Sequence, residues 1–165
     1  MTGTNLGNET TTIVAEGAEL VVERFLDAPR ELVWKAMTSR DYVAQWWGRR
    51  GTTTKVVELD LQPGGRWRYV AQTSDGGEAP FTGEHLEVVP PERIVRTVIF
   101  DVPPFNSGPP AVETLTLEDV GGKTKVHSST RFPAEEVLNG ALAQGMTEGT
   151  IEEYDRLAQV LSEMA

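Results

Sequence analysis

The chain has 165 residues, a formal net charge of −10 and no cysteine. This length suits one compact domain, and the absence of thiols excludes disulfides, thiol catalysis and cysteine zinc sites. Its arginines and lysines do not cluster and no apolar run reaches about 18 residues, so we expect a cytoplasmic protein that binds neither nucleic acid nor membrane.

The N-terminal part of the chain predicts one strand followed by two short helices. Residues 1–17 are rich in Thr, Asn and Gly and are expected to form a flexible lead-in. Residues 19–27 are apolar and β-branched, which predicts a strand, and Pro29 suits the first turn of the following helix. Residues 41–47 predict a second short helix with Asp41 as its N-cap.

Between residues 52 and 132 the pattern changes to strands separated by turns. Apolar and polar residues alternate, and turns such as Asp75-Gly76-Gly77 divide the segments. Six segments are predicted as strands: 57–61, 67–71, 81–89, 94–102, 112–117 and 123–132. Together with the first strand they would form an antiparallel sheet of about seven strands.

After Pro133, apolar residues at helical spacing predict a single amphipathic helix of about seven turns. Its first half is interrupted by Gly140, Gly145 and Gly149, which suggests a bend, room for a ligand or close contact with the sheet. A curved sheet around one long helix leaves a cavity between them. The layout therefore predicts a single α+β domain over residues 18–165 that encloses a small apolar molecule.

Five motifs occur in order along the chain at the spacing of a known family. They are Ala28–Trp34, Trp46–Gly48, Asp60–Trp67, Val89–Arg93 and Gly145–Gly149. On these residues the chain resembles bacterial proteins named after the C-terminal domain of the activator of heat-shock-protein-90 ATPase, which belong to the START-like superfamily (SRPBCC, Bet v 1-like). The resemblance covers roughly residues 18–162, and Gln62 departs from the basic residue that relatives often carry before the Pro-Gly-Gly turn.

The resemblance implies a helix-grip fold, in which a curved antiparallel sheet wraps around the long C-terminal helix. It also implies a deep cavity used for lipids, polyketides, hormones or other hydrophobic molecules, a homodimer, and no defined reaction. No cofactor is expected. Because one fold of this kind serves many functions, the function has to be argued from the site itself.

Aromatic side chains on the strands are the candidate lining of that cavity. Alternation along a strand could direct them to the concave face, where phenol and indole groups would offer an apolar ligand a few fixed polar contacts. The alternative is ordinary core packing, because lining and core form one continuous surface in this architecture. The predicted lining consists of Trp67, Tyr69, Phe81, Phe100, Met146 and Tyr154.

Trp46 and Trp47 lie next to each other at the end of the second predicted helix. One indole could form part of the cavity mouth while the other packs in the core. Alternatively, both fasten the helical hairpin to the sheet, each burying roughly 150–250 Å². Adjacent side chains in a helix are not expected to face the same pocket.

Two residues are candidates for acid–base chemistry. His85 shares the parity of Phe81 and could face the cavity as an acid, a base or a ligand anchor, although a hydrogen-bonded or exposed strand histidine is the simpler interpretation. Glu113 could serve as a base, with a solvated strand glutamate as the alternative. His127 is expected to face solvent, and two histidines on different strands without a suitably spaced carboxylate predict no metal site.

These residues favour a non-enzymatic protein that binds a small hydrophobic molecule. The second hypothesis is an enzyme related to polyketide cyclases or dehydratases, in which His85 or Glu113 moves protons. The third is an interaction module associated with chaperones. The acidic residues of the last helix are predicted to form its solvated face: Glu148, Glu152, Glu153 and Asp155.

Overall fold

Nine strands and four helices follow one another along residues 4–164, the part of the chain that the computed structural model describes. In chain order they are β1 (Thr4–Asn5), β2 (Thr11–Glu16), β3 (Glu19–Leu26), α1 (Arg30–Thr38), α2 (Arg40–Trp46), β4 (Thr53–Leu59), β5 (Arg66–Gln72), β6 (Glu78–Val89), β7 (Arg93–Phe100), β8 (Ala111–Val120), β9 (Lys123–Arg131), α3 (Glu135–Ala143) and α4 (Met146–Met164).

The strands form one antiparallel sheet in the order β1-β2-β3-β9-β8-β7-β6-β5-β4. Residues directly opposite each other in neighbouring strands share a face, so the register places His85, Arg96 and Glu113 side by side across β6, β7 and β8. Helix α4 covers this face and buries Tyr154, Leu157, Val160 and Leu161. The α+β helix-grip architecture predicted from the sequence is confirmed.

The N-terminal segment forms two strands within residues 4–17, where the composition predicts a flexible lead-in. Strand β2 alternates buried and exposed positions, and Ile13 is fully buried. A two-residue turn at Gly17 and Ala18, with Gly17 at φ 60°, pairs β2 with β3. This adds strands to the predicted seven, so the described sheet has nine; residues 1–3 and 165 lie outside the described residues.

The C-terminal segment is two helices, where the apolar pattern predicts one. Helix α3 ends at Ala143, and Gly145 adopts a φ of +87°, a left-handed conformation that ends a helix and that glycine adopts readily. Gly149 has a different role, because a Cβ there would lie 3.4 Å from Cγ of Arg49. The glycines therefore mark a break and a close contact.

Helix α2, the second helix of the hairpin, begins at Arg40, one residue before its predicted start at 41. The N-cap of α2 is Ser39, and its side chain makes no capping hydrogen bond. Asp41 lies in the first turn, where a negative charge is favourable near the positive end of the helix dipole. Its role is therefore electrostatic.

Candidate functional site

Five aromatic rings meet between the sheet and the helical hairpin: Trp46, Trp47, Trp67, Tyr69 and Phe81, called here the aromatic cluster. Trp47 lies at its centre, with ring centroids 5.0 Å from Tyr69 and 5.9 Å from each of the other three rings. All four contacts are edge-to-face, which is a preferred geometry for aromatic pairs. Trp47 therefore connects the hairpin to the sheet.

Trp46 and Trp47 enter the same cluster, contrary to the expectation for neighbours in a helix. The reason is that α2 ends at Trp46, and Trp47 is extended at φ −67° and ψ 137°. Nε1 of Trp46 donates a hydrogen bond to the carbonyl oxygen of Ala36 at 2.8 Å. Nε1 of Trp47 is buried and has no hydrogen-bond partner among the described residues.

Trp67 is fully buried in the bend of the sheet, in the space that Gly83 leaves open. Its Nε1 donates a hydrogen bond to the carbonyl oxygen of Thr97 at 3.0 Å. A Cβ on Gly83 would lie 1.8 Å from that carbonyl oxygen and 2.6 Å from Nε1 of Trp67. Only glycine fits this position in β6.

An ion pair lies beneath the aromatic cluster. Nε of Arg96 lies 2.8 Å from Oε1 of Glu113, and Oγ of Ser128 donates a hydrogen bond to Oε2 of Glu113 at 3.3 Å. The side chains of Arg96 and Glu113 are only 14% and 23% exposed. The guanidinium carbon of Arg96 lies 4.1 Å from the ring centroid of Trp67 and 5.5 Å from that of Trp47, which adds cation–π attraction.

Arg96 is a permanently charged group in this setting. Burial by itself lowers the pKa of Arg96, but the attraction of Glu113 and the hydrogen bond with it outweigh this effect and the pKa is raised. Burial raises the pKa of Tyr69, against an opposing effect of Arg96. Tyr69 is therefore a neutral phenol beside a charged guanidinium.

His85 is buried on the concave side of β6, and its ring is already engaged. Nδ1 of His85 lies 2.9 Å from the carbonyl oxygen of Asp60. Burial lowers the pKa of His85, and the charge of Arg96 lowers it further, so the imidazole is neutral. Because a carbonyl can only accept, Nδ1 carries the proton and Nε2 is left as the acceptor. His127 is 41% exposed and lies 3.6 Å from Glu23, on the opposite side of the sheet from its neighbour Ser128.

A cavity of about 30 Å³ lies between the ion pair and the aromatic cluster. This is close to the share of liquid volume of one water molecule, and ligand pockets are usually about 300–1,000 Å³. The lining residues are Met37, Trp46, Trp47, Tyr69, Ile94, Arg96, Glu113 and Leu115.

The predicted site residues fall into three groups around this cavity. Those that line it are Trp46, Trp47, Tyr69 and Glu113. Trp67 and Phe81 do not line the cavity but contact the lining residue Trp47, and Phe100 stacks on Phe81 with centroids 5.0 Å apart. His85, Met146 and Tyr154 are not among its lining residues.

Arg96 is the residue of the candidate site that the sequence interpretation missed. It lies on the inward-facing stripe of β7 with Ile94, Val98 and Phe100, where a charge interrupts an otherwise apolar alternation. A charge at such a position needs a partner, because an unpaired buried charge is costly. Its opposite neighbour in β8 is Glu113, so the register would have identified the pair.

Comparison with known proteins identifies the family. The family model described as activator of Hsp90 ATPase homolog 1-like protein matches residues 27–162. The chain belongs to this family.

Solved structures of the same architecture come from several bacteria. A protein from Arthrobacter aurescens is 20% identical with a TM-score of 0.83, covering 92% of this chain and 91% of its own. A protein from Rhodobacter sphaeroides is 23% identical with a TM-score of 0.83, covering 94% and 99%. A protein from Staphylococcus epidermidis is 26% identical with a TM-score of 0.79, covering 93% and 94%. None of the curated proteins matches this chain.

In this member of the activator family, helix α4 holds the segment of residues 45–50 that carries Trp47. Glu153 accepts a hydrogen bond from the Gly48 amide at 3.1 Å, and Glu152 accepts one from the Arg50 amide at 3.0 Å. Arg156 donates to the carbonyl oxygens of Gln45 and Gly48 at 2.9 Å and of Arg49 at 3.1 Å. Glu152, Glu153 and Arg156 are called here the α4 clamp.

The clamp corrects the expectation that the acidic residues of the last helix form a solvated face. Glu153 is only half-exposed as a residue, and desolvation of its carboxyl group raises its pKa to about 7. Asp155 lies 2.7 Å from the guanidinium of Arg24 in β3, whose side chain is 9% exposed. Burial also raises the pKa of Tyr154, so this phenol is neutral.

A larger hollow of about 480 Å³ lies outside the clamp, between α2 and α4. It is an open groove lined mainly by charged and amide side chains, among them Gln45, Arg50, Asp155 and Glu163. Ligand pockets are mostly apolar with few polar groups. The aromatic cluster with its ion pair therefore remains the candidate site.

Proposed function

We propose that this protein binds a small, largely apolar molecule between the sheet and α4, without catalysing a reaction. The aromatic cluster would contact the apolar body of the ligand, and the Arg96–Glu113 pair would anchor a polar group. The observation that carries the proposal is the half-buried ion pair under a set of aromatic rings, because such convergent polar groups in an apolar wall are the usual composition of a ligand site.

Ligand entry requires side chains to move, since the cavity of about 30 Å³ is too small for an organic molecule. A row of stacked rings supports a route. Phe81 lies 5.0 Å from Phe100, and Phe100 lies 5.5 Å from Phe105, which is 40% exposed at the surface. Displacement of these rings would open the aromatic cluster from the side of the loop between β7 and β8.

The expected affinity is modest. Burying about 300 Å² of apolar ligand surface at roughly 25 cal/mol/Å² provides about 7 kcal/mol before the cost of association. Opening the closed cavity reduces this further. We therefore expect dissociation constants in the micromolar range or weaker.

Native mass spectrometry of freshly purified protein, compared with its denatured mass, tests the proposal. We expect a discrete excess mass that is lost on denaturation. The variant Leu115→Phe adds a ring to the cavity wall and should abolish this excess, whereas Val112→Phe adds the same ring to the exposed face of β8 and should retain it. A bare mass, together with no binding of any apolar probe, would refute the proposal.

The enzyme hypothesis receives less support from the geometry of its candidates. Glu113 is paired with Arg96 and Ser128, and His85, whose Nε2 is free to accept, is not among the residues that line the cavity. A general base needs a free acceptor within reach of the substrate. Unchanged turnover of every candidate substrate in His85→Ala would remove that role.

We further propose that the protein is a cytoplasmic homodimer, in line with the family resemblance. Within residues 4–164, no helix is long and apolar enough to cross a membrane. The edge strands β1 and β4 leave one side of the sheet unpaired at each end, which provides a place for a second copy. The native mass spectrum that reports the ligand also reports the mass of the assembly.

A further inference from the structure

The Trp47 indole has a hydrogen-bond donor that nothing in the described structure uses. Its Nε1 is buried, and the ring lines the cavity beside Arg96 and Tyr69. The indoles of Trp46 and Trp67, by contrast, donate to the carbonyl oxygens of Ala36 and Thr97. Buried donors are nearly always paired in proteins, so the cavity lacks an acceptor.

The charges around the cavity disfavour an anion as the source of that acceptor. Arg96 is already balanced by Glu113 at 2.8 Å, and His85 is neutral. Arg156 is engaged by the backbone carbonyls of residues 45–49, and Glu153 adds a partial negative charge at neutral pH. An incoming carboxylate would therefore find no uncommitted cation among these groups.

The aromatic rings around Nε1 of Trp47 determine the shape and polarity that the rest of the ligand can have. Trp47 contacts four other aromatic rings edge-to-face. A flat apolar molecule that enters between them can replace these contacts with contacts of the same kind. A bulky or strongly hydrated molecule cannot.

We infer that the site selects an uncharged, planar apolar molecule with an acceptor oxygen, such as a carbonyl, that accepts a hydrogen bond from Nε1 of Trp47. This inference rests on the proposed function and specifies its ligand class. Trp47 is then the residue that determines specificity, and the Arg96–Glu113 pair lies beside the same polar group of the ligand.

Three small probes that share a phenyl ring separate the possibilities: acetophenone, ethylbenzene and benzoate. They are titrated into ¹⁵N-labelled protein, and the indole N–H signals are followed by NMR. The Trp47 signal is the one missing from Trp47→Phe, which keeps an aromatic ring and removes the donor. Trp34→Phe is the matched control, since Trp34 lies on α1 and does not line the cavity.

Acetophenone is expected to bind about tenfold more tightly than ethylbenzene, although ethylbenzene is the more apolar molecule. It should also shift the Trp47 indole proton downfield, which ethylbenzene should not do, and benzoate should bind most weakly. In Trp47→Phe the advantage of acetophenone over ethylbenzene should disappear, and in Trp34→Phe it should persist.

Equal binding of acetophenone and ethylbenzene, with no selective shift of the Trp47 signal, would overturn the inference and leave the proposed function standing. It would mean that a water molecule is the partner of Nε1. Tightest binding of benzoate would overturn it in favour of an anion site. Binding of none of the three probes overturns the inference, and together with a bare mass in the native spectrum it would count against the proposed function as well. If Trp47→Phe does not fold, the indole shift in the unaltered protein decides.

Discussion

Gly83 is the residue on which the shape of the concave face depends most directly. Any side chain there would collide with the Thr97 carbonyl oxygen, which is backbone and cannot move aside, and with the indole of Trp67. The indole fills the space over a glycine in the neighbouring strand, and its hydrogen bond to Thr97 fixes the ring. Gly83 thereby sets the position of the ring against which Arg96 lies.

Gly83→Ala should destabilise the protein by about 1–3 kcal/mol or more, because the added methyl group overpacks a rigid site. Gly140→Ala is the matched control in the interior of α3. A Cβ there would have only one neighbour, at 4.0 Å, so this change should stabilise by about 0.5–1 kcal/mol. Thermal and denaturant unfolding measure both changes. Equal effects of the two substitutions would show that Gly83 has no special steric role.

Arg96 shows where single-residue prediction from the sequence stops. The aromatic residues of the candidate site can be selected by alternation, since Tyr69 and Trp67 lie two residues apart on a buried stripe. Arg96 follows the same alternation, but its place in the candidate site depends on its ion pair with Glu113, which lies 17 positions away in sequence and opposite in register. Pairs of this kind become visible only when the strands are aligned.

Among the elements, the α4 clamp couples the last helix to the segment that places Trp47. Glu152 and Glu153 bind amide groups of this segment, and Arg156 binds its carbonyl groups. Residues 47–50 of this segment lie beyond the end of α2 and belong to no other helix or strand, so these side chains supply partners that secondary structure would otherwise provide. Motion of α4 would therefore be transmitted to the ring at the centre of the aromatic cluster.

The clamp predicts a pH dependence of stability. The carboxyl group of Glu153 has a pKa of about 7 in the folded protein and 4.5 without the fold. The folded state holds the proton more tightly, so this contribution to stability is full below about pH 4.5 and is lost as the pH rises through 7. After allowance for partial exposure, the loss should be about 1–3 kcal/mol.

Glu153→Gln removes this titration and keeps an oxygen that accepts from the Gly48 amide. The variant should match the original protein near pH 4.5 and become more stable than it between pH 6 and 8. Glu152→Gln is the control for removal of a negative charge one position away. Denaturant unfolding at several pH values gives the comparison, and parallel curves for the original protein and Glu153→Gln would contradict the shifted pKa.

The elements that were predicted correctly share a strong local signal. The strands from β5 to β9 were predicted to within a few residues and are separated by Gly or Pro turns, and the first helix begins next to Pro29. Strand β4 begins at Thr53, four residues before the predicted start at 57, and a bulge between Val56 and Glu58 interrupts its alternation. Strand β2 was not predicted because the many Thr, Asn and Gly residues in 1–17 indicate a flexible segment, although Thr11, Ile13 and Ala15 alternate as in a strand. The break between α3 and α4 was missed because apolar spacing continues across Gly145, whose left-handed φ is a property of the backbone.

At the scale of the whole molecule, the sequence predicts the fold much better than it predicts the cavity or its ligand. The family and the helix-grip fold follow from motifs and periodicity and are confirmed by the family match over residues 27–162. The small size of the cavity does not follow from them, because its volume depends on how several large side chains pack together. Two adjacent tryptophans that both turn inward occupy much of the space that the layout leaves open.

The N-terminal strand β2 tests whether all strands of the sheet unfold together as one cooperative unit. Ile13 is fully buried in β2, and Thr11 beside it accepts a hydrogen bond from Arg24, the partner of Asp155 in α4. If β2 is part of the core, Ile13→Ala should cost about 2–5 kcal/mol and lower the midpoint of a single unfolding transition by roughly 4–20 °C. Val14→Ala, on the opposite face of the same strand and only partly buried, should cost less than about 1 kcal/mol. Calorimetry of both variants tests this, and an unchanged midpoint for Ile13→Ala would mean that β2 unfolds independently and that the domain begins at β3.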